Sequence, residues 1–286
     1  MPLEVQPKRL FFTFDLEDHR PNSSYPKRYP GITQSVLKFL EARGIEATVF
    51  VLGRLAREEP SLISEISKAG HEIAFHSFAH VHLTQENPKR FQQETSDSKK
   101  FLEDLIGQSV IGFRAPAFSL TEDSRWAVNV IGELGFTYSS SLLPAKNPIF
   151  GFPQAPAQPF RWPNGLLEIP APVARIGPMT IPFLGGFYLR YFPRALIRQF
   201  LKRGDPGQCY WAYCHPHDFD YRESFYKIEG TSLAASLLLW FNRKNTFKKL
   251  DSIFSSSEGV VGACSFATLI EQGEFAAVPE FDPESV

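Results

Sequence analysis

Short apolar runs recur along this chain with helix-length segments between them, and that alternation restricts the fold more than any other feature. "RLFFTF" precedes "ITQSVLKFLEARG", in which Val36, Leu37 and Leu40 recur at helical spacing before a stop at Gly44. "ATVFVLG" follows as a second strand, "SLISEISKAG" as a helix and "HEIAFHS" as a third strand. A polar helix then runs from about Pro88 to Ile106, and "VIGFRAPAF", "DSRWAVNVIGELGF" and "TYSSS" repeat the pattern. Strands that alternate with helices in this way pair in parallel, with the helices outside the sheet.

The segment "LLPAKNPIFGFPQAPAQPFRWPNG" breaks the rhythm. Its proline and glycine content predicts a long irregular excursion, of the kind that shapes a pocket or covers a face. Beyond it, "LLEIPAPV" reads as a strand, "PRALIRQFLKRG" as a helix and "CYWAYCHP" as a nearly continuous apolar strand ending on His215. A further helical region spans 231 to 254. No internal repeat or composition shift marks a domain boundary, and 286 residues suit one α/β barrel of roughly 250 residues with trimmings.

Polar groups gather where these strands end. Asp15, Glu17 and Asp18 follow the first strand, His76 and His80 the third, Arg114 lies in the fourth, and His215 closes the last. In a parallel barrel the C-terminal strand ends converge on one rim. Two histidines in "IAFHSFAH" could by spacing alone be a hydrogen-bonded pair in a turn, but the convergence makes them candidates for a metal clamp.

Composition removes several classes. With 30 basic and 31 acidic residues the net charge is −1, so no overall field draws the chain to nucleic acid. Cys209, Cys214 and Cys264 match no zinc-finger spacing and cannot all pair within one chain, which fits buried thiols in a reducing compartment. "MPLEVQPKRL" lacks the apolar core and cleavage site of a secretory leader, and a cytoplasmic protein is expected. "SLAASLLLWF" reaches only about half the length that spans a bilayer. Its basic continuation "NRKNTFKK" leaves a peripheral membrane contact open.

"TFDLED", "HSFAH", "FRAP" and "YCHP" occur in the order of the signature motifs of the NodB-homology polysaccharide deacetylases, carbohydrate esterase family 4, which the chain resembles over about residues 8 to 220. "LGGFYLR" at 184 to 190 and the D-x-E-D form of the first motif are similar to the exopolysaccharide and surface-glycan branch. The resemblance implies a distorted, TIM-like (β/α)₇ barrel in one domain with a C-terminal helical extension over about 221 to 286. It also implies metal-dependent removal of an acetyl group from an N-acetylated sugar.

Two imidazoles and one carboxylate leave open positions on a divalent ion, zinc being favoured over cobalt or another transition metal. The resemblance gives Asp18, His76 and His80 as ligands, with Glu17 as the alternative acid. Strict strand alternation puts Asp15 and Glu17 on one face and Asp18 on the other. Asp15 matches the family's general base, Arg114 the arginine that orients it, and His215 the general acid. The Ala117 backbone N–H matches an oxyanion donor, and His217 and Asp218 are expected at the rim. One departure is "YSSS", with Ser139 where relatives carry an aspartate that orients the acid histidine, a role open to Asp218 or Asp220.

The expected activity is a hydrolase of non-peptide carbon–nitrogen bonds that deacetylates an N-acetylhexosamine in a polysaccharide, or in a nucleotide- or lipid-linked glycan precursor. Phe118, Trp162, Phe187 and Tyr188 are candidates to stack on sugar faces. Two alternatives are a cyclic amide or imide hydrolase of the same superfamily and a catalytically silent glycan-binding homologue.

Overall fold

The computed structural model describes residues 9–147, 149–205, 208–228, 230–255 and 264–285. Most of the N-terminal stretch in which a leader was sought lies outside them. The described residues form ten strands: β1 (Leu10–Leu16), β2 (Thr48–Val51), β3 (Glu72–Phe75), β4 (Gly112–Phe113), β5 (Tyr138–Ser139), β6 (Phe160–Arg161), β7 (Leu167–Glu168), β8 (Val173–Ile176), β9 (Met179–Pro182) and β10 (Tyr210–Cys214). Eight form one sheet in the order β10-β1-β2-β3-β4-β5-β7-β6. The first seven of these run parallel and β6 pairs antiparallel at the edge. The parallel pairing is the one that the strand and helix alternation predicts, and the sheet curls into a half-barrel.

Helices α1 (Tyr29–Glu41), α2 (Gly53–Glu58), α3 (Pro60–Lys68), α4 (Pro88–Ile106) and α5 (Trp126–Glu133) connect the first five strands. α1 buries Val36, Leu37 and Leu40, the residues whose spacing predicts it. Asn87 caps α4 by accepting from the N–H groups of Lys89 and Arg90, and Gly107 ends it in the left-handed region at φ 70°.

β1 is buried along its whole length because both its faces are covered. Leu10, Phe12, Phe14 and Leu16 pack in the larger apolar cluster with helix residues such as Val36 and Leu40. Phe11 faces an inner cluster with Phe50, Tyr138, Trp211 and Tyr213. Thr13 and Asp15 share the Phe11 parity, so the inner face turns polar toward the strand's C-terminal end.

Three local predictions are corrected. The fourth strand is only two residues long, because Pro116 lacks an N–H and Ala117 and Phe118 both turn left-handed at φ 53°. "LLEIPAPV" is divided by Pro170 and Pro172 into β7 and the start of a separate β8–β9 hairpin. The region 231 to 254 is two helices, α9 (Leu233–Trp240) and α10 (Thr246–Phe254), separated by Asn242 at φ 63°. Between β9 and α9 lie α6 (Gly186–Tyr191), α7 (Arg194–Arg203) and α8 (Pro216–Phe219).

The last helix, α11 (Phe266–Glu271), closes the opposite end of the half-barrel from the site. Phe266 packs on Phe50, Tyr138 and Trp211, and its N–H donates to Thr48 Oγ1 at 2.9 Å. The Ala267 N–H donates to half-buried Glu72, which also accepts from the Tyr138 and Thr48 hydroxyls.

Candidate active site

β1 delivers two carboxylates inward. Asp15 is the last inner residue of the strand, and Glu17 continues the alternation one step beyond it. Glu17 Oε1 lies 2.9 Å from His76 Nε2 and 3.0 Å from His80 Nε2. Asp18 turns the other way, accepting from Arg20 Nε at 2.7 Å and the Arg20 N–H at 3.2 Å. The acid that joins the two histidines is thus Glu17 rather than the expected Asp18, because strand alternation persists through residue 17.

β3 and a tight turn place the histidines. His76 Nδ1 donates to the Arg114 carbonyl at 2.9 Å, which turns Nε2 toward Glu17. Ser77 and His80 both hold positive φ, 67° and 62°. Such backbone is costly for non-glycine residues and persists because its surroundings fix it. The His80 N–H donates to Ser77 Oγ, and the carbonyls of Ser77 and Phe78 accept from the Gly53 and Arg54 N–H groups.

The donor set fits a cation. With its Nδ1 proton committed to a carbonyl, a neutral His76 has only a lone pair to present to the Glu17 carboxylate, and two acceptors 2.9 Å apart repel unless positive charge lies between them. Glu17, His76 and His80 each offer one atom within a span that a single metal ion can bridge. Burial by itself would raise the Glu17 carboxyl, but the charges of His80, His215 and His19 outweigh it and hold the group well below the usual range.

Across the same cavity, Arg114 organises Asp15. Its guanidinium is fully buried, donating to Asp15 Oδ1 at 2.6 Å, Thr13 Oγ1 at 2.9 Å and both the carbonyl and hydroxyl of Ser140. It also stacks over Phe50 and Trp211. Burial lowers the arginine's pKa from its ordinary value, against the pull of Asp15. Asp15 Oδ2 faces His215 Nε2 at 3.7 Å.

His215 ends β10 and caps α8. Its Nδ1 lies 3.1 Å from Asp218 Oδ2, which also accepts the His215 N–H at 2.9 Å. Burial opposes the imidazolium, but Glu17, Asp218 and Asp15 raise its pKa to about 9. Asp218 is the carboxylate beside this histidine. Asp220 is engaged by Arg28, whose Nη2 donates to it at 2.7 Å. Ser139 is fully buried and donates to Ser141 Oγ at 2.8 Å within the layer around Glu168.

Sequence reasoning missed Arg190 and His19. Arg190 Nε lies 3.3 Å from Asp218 Oδ1, and its Nη1 donates to the carbonyls of Leu239 and Phe241. His19 Nε2 sits 2.6 Å from Glu17 Oε2, and its ring packs at 4.1 Å against His217. The two glycines of "LGGFYLR" carry a signal that packing explains. A Cβ at Gly185 would overlap the Tyr213 ring, and one at Gly186 the Asp218 carboxylate.

Asp15, Glu17, His19, His80, Arg114, His215, His217 and Asp218 line a cavity of about 310 Å³, with Ala117, Phe118, Phe187, Tyr188 and Tyr213 in its wall. The proline-rich excursion adds Leu143, Asn147, Ile149 and Phe150. Trp162, expected to stack on sugar, instead lies buried against Phe152, Phe160 and Phe281, with its Nε1 3.4 Å from Glu168 Oε2. Its large apolar ring completes the core beneath the excursion. Cys209, Cys214 and Cys264 are free thiols whose pKa values burial raises. Among the described residues no helix is long and apolar enough to cross a membrane.

Residues 3–139 match the family model described as polysaccharide deacetylase, and residues 140–262 match a domain of unknown function, DUF3473. A chitooligosaccharide deacetylase from Azorhizobium caulinodans is 30% identical over 124 residues, covering 43% of this chain and 54% of that one. The chain thus spans about half the length of this curated relative. Among solved structures, a polysaccharide deacetylase homologue from Mycobacterium smegmatis aligns over 99% of this chain and 95% of its own, at TM-score 0.65 and 18% identity. Puue allantoinase aligns over 96% and 93% at the same TM-score and 13% identity, so the fold is common to both and does not distinguish their chemistries. Over residues 3–139 the chain is thus similar to the polysaccharide deacetylase family, and over residues 140–262 to DUF3473.

Proposed function

We propose that this protein is a metal-dependent hydrolase that removes the acetyl group from an N-acetylated hexosamine in a glycan or glycan precursor. The observation that carries this reading is the meeting, at one cavity, of Glu17 and His80, with His76 held against Glu17, and of the Asp15–Arg114 and His215–Asp218 pairs. A binding module has no need for a cation cluster, a base and an acid together.

Glu17, His76 and His80 would hold the ion, with zinc the first candidate for two imidazoles and a carboxylate. A divalent ion there supplies Lewis acidity, making water a better nucleophile and polarising an amide carbonyl. Asp15 is suited to be the base. Arg114 occupies Oδ1, and Oδ2 faces the cavity as a proton acceptor. As water adds to the acetyl carbon, its proton passes to Asp15. His215 is suited to be the acid, since its Nδ1 is held by Asp218 and its Nε2 faces the cavity beside Asp15, carboxylates that favour the imidazolium. When the carbon–nitrogen bond breaks, its Nε2 proton goes to the departing amine, leaving acetate and a free amino sugar. Ala117, left-handed at the cavity wall, would offer its backbone N–H to the developing oxyanion. Phe118, Phe187, Tyr188 and Tyr213 provide apolar faces for a sugar ring.

The test is acetate release from N-acetylglucosamine oligomers, nucleotide-linked N-acetylhexosamines and a cyclic amide, using metal-stripped protein with and without added zinc or cobalt. Acetate that requires metal and is lost in His76→Ala is expected. Metal binding without acetate from any sugar would refute the deacetylase reading, and turnover of the cyclic amide would replace it.

A further inference from the structure

Helix α9 is built inside out. Its one fully buried side chain is Ser236, whose hydroxyl accepts from the Ile228 N–H at 3.0 Å, contacts the Thr231 hydroxyl at 2.7 Å and donates to the Ser232 carbonyl at 3.1 Å. The leucines point the other way. Leu233 is 56% exposed, Leu237 44%, Leu238 50%, and Phe241, just past the helix, 61%. A helix on a water-facing surface normally shows the reverse polarity, and a contiguous apolar patch of this kind marks a contact surface.

The surroundings identify the kind of surface. From Thr231 to Leu250 the chain holds four basic residues and no acidic one. Arg243 is consumed by Glu223 at 2.6 Å, and Lys249 donates to the Arg190 and Phe192 carbonyls. Lys244 and Lys248 remain exposed, as do Arg222 and Lys227 on the loop along α9. That loop is held to the helix by Trp240 Nε1 donating to the Glu223 carbonyl at 3.0 Å and by Phe225 packing on the Trp240 ring. Exposed leucines rimmed by Trp, Phe and exposed Lys and Arg are the composition of a segment that rests in a lipid headgroup region.

We propose that α9 and its flanking loop dock this protein on an anionic lipid bilayer surface. The patch is continuous with the cavity. Leu239 lines the cavity, while the Tyr191 hydroxyl beneath the helix donates to the Leu238 carbonyl at 2.6 Å. A docked molecule therefore holds the cavity mouth beside the headgroups, where it would meet a lipid-carried glycan. That last consequence rests on the deacetylase reading, whereas docking does not.

Co-sedimentation of the metal-loaded full chain with vesicles of phosphatidylcholine, with and without phosphatidylglycerol, tests this. Binding is expected to require phosphatidylglycerol and to weaken as salt rises. Leu237→Ser with Leu238→Ser, and separately Lys244→Glu with Lys248→Glu, should each lower partitioning about tenfold or more. Melting temperature, metal affinity and turnover of a soluble substrate should stay unchanged in both. Absence of vesicle binding, or equal binding by the variants, overturns the proposal. So does a concentration-dependent dimer in sedimentation velocity that the leucine variant abolishes, which would assign the patch to a second copy. A parent protein that binds the vesicles but releases no acetate from any N-acetylated sugar would count against the deacetylase reading alone.

Discussion

Replacing Glu17 with glutamine isolates the contribution of the one carboxylate that faces both histidines. A carboxylate and one unit of the ion's charge about 3 Å apart interact by about 5–6 kcal/mol at an effective dielectric near 20. Glutamine keeps the shape and one oxygen, which recovers part of this. A net loss of about 3–4 kcal/mol corresponds to roughly 10²- to 10³-fold weaker zinc binding. Asp18→Asn should change zinc affinity by less than about threefold, because that carboxylate is committed to Arg20 outside the cluster. Competition titrations against a chromophoric chelator measure both, with thermal melts confirming that each variant folds. Glu17→Gln binding zinc like the parent, or Asp18→Asn losing affinity as severely, would refute the assignment.

Two further substitutions probe the acid histidine and the closed end of the half-barrel. Asp218→Asn removes a carboxylate that raises and orients His215, so kcat for acetate release should fall about 10²- to 10⁴-fold and the alkaline limb of the pH–rate profile should move to lower pH. Equal kcat with an unmoved limb would exclude the orienting role. Glu72 is raised above the ordinary glutamate value by burial, in spite of hydrogen bonds from Thr48, Ala267 and Tyr138. The folded state therefore holds this proton more tightly than the unfolded chain, and the stability it contributes is present at low pH and lost as pH rises through the folded pKa. Glu72→Gln should be stabilised relative to the parent as pH increases from about 4.5, read as the difference between two urea-melt series, and a pH-independent difference would contradict it.

Period and order in the sequence carried the parallel sheet, because a strand buried on both faces must be apolar throughout and can end in polar residues only at the rim. The same order carried the resemblance through "TFDLED", "HSFAH", "FRAP" and "YCHP", and with it Asp15, His76, His80, Arg114 and His215, which tertiary folding brings around one cavity. Choosing between Glu17 and Asp18 needed the fold, since both lie beyond the last paired residue of β1 and only the positions of His76, His80 and Arg20 decide which way each carboxylate faces. The partner of His215 was likewise undecidable along the chain, as Asp218 and Asp220 are both close in sequence and Arg28, 192 positions from Asp220, claims the second. Trp162 looked accessible in a proline-rich excursion until Phe281 packed against it. Composition marked 232 to 241 as apolar, but the burial of Ser236 and the outward leucines are set by the hydroxyl's hydrogen bonds to Ile228 and Ser232 and by Trp240 docking on its loop. Local sequence fixes period and turn chemistry; which of two neighbouring polar groups enters a site depends on charges contributed by distant parts of the chain, and only the folded structure holds those together.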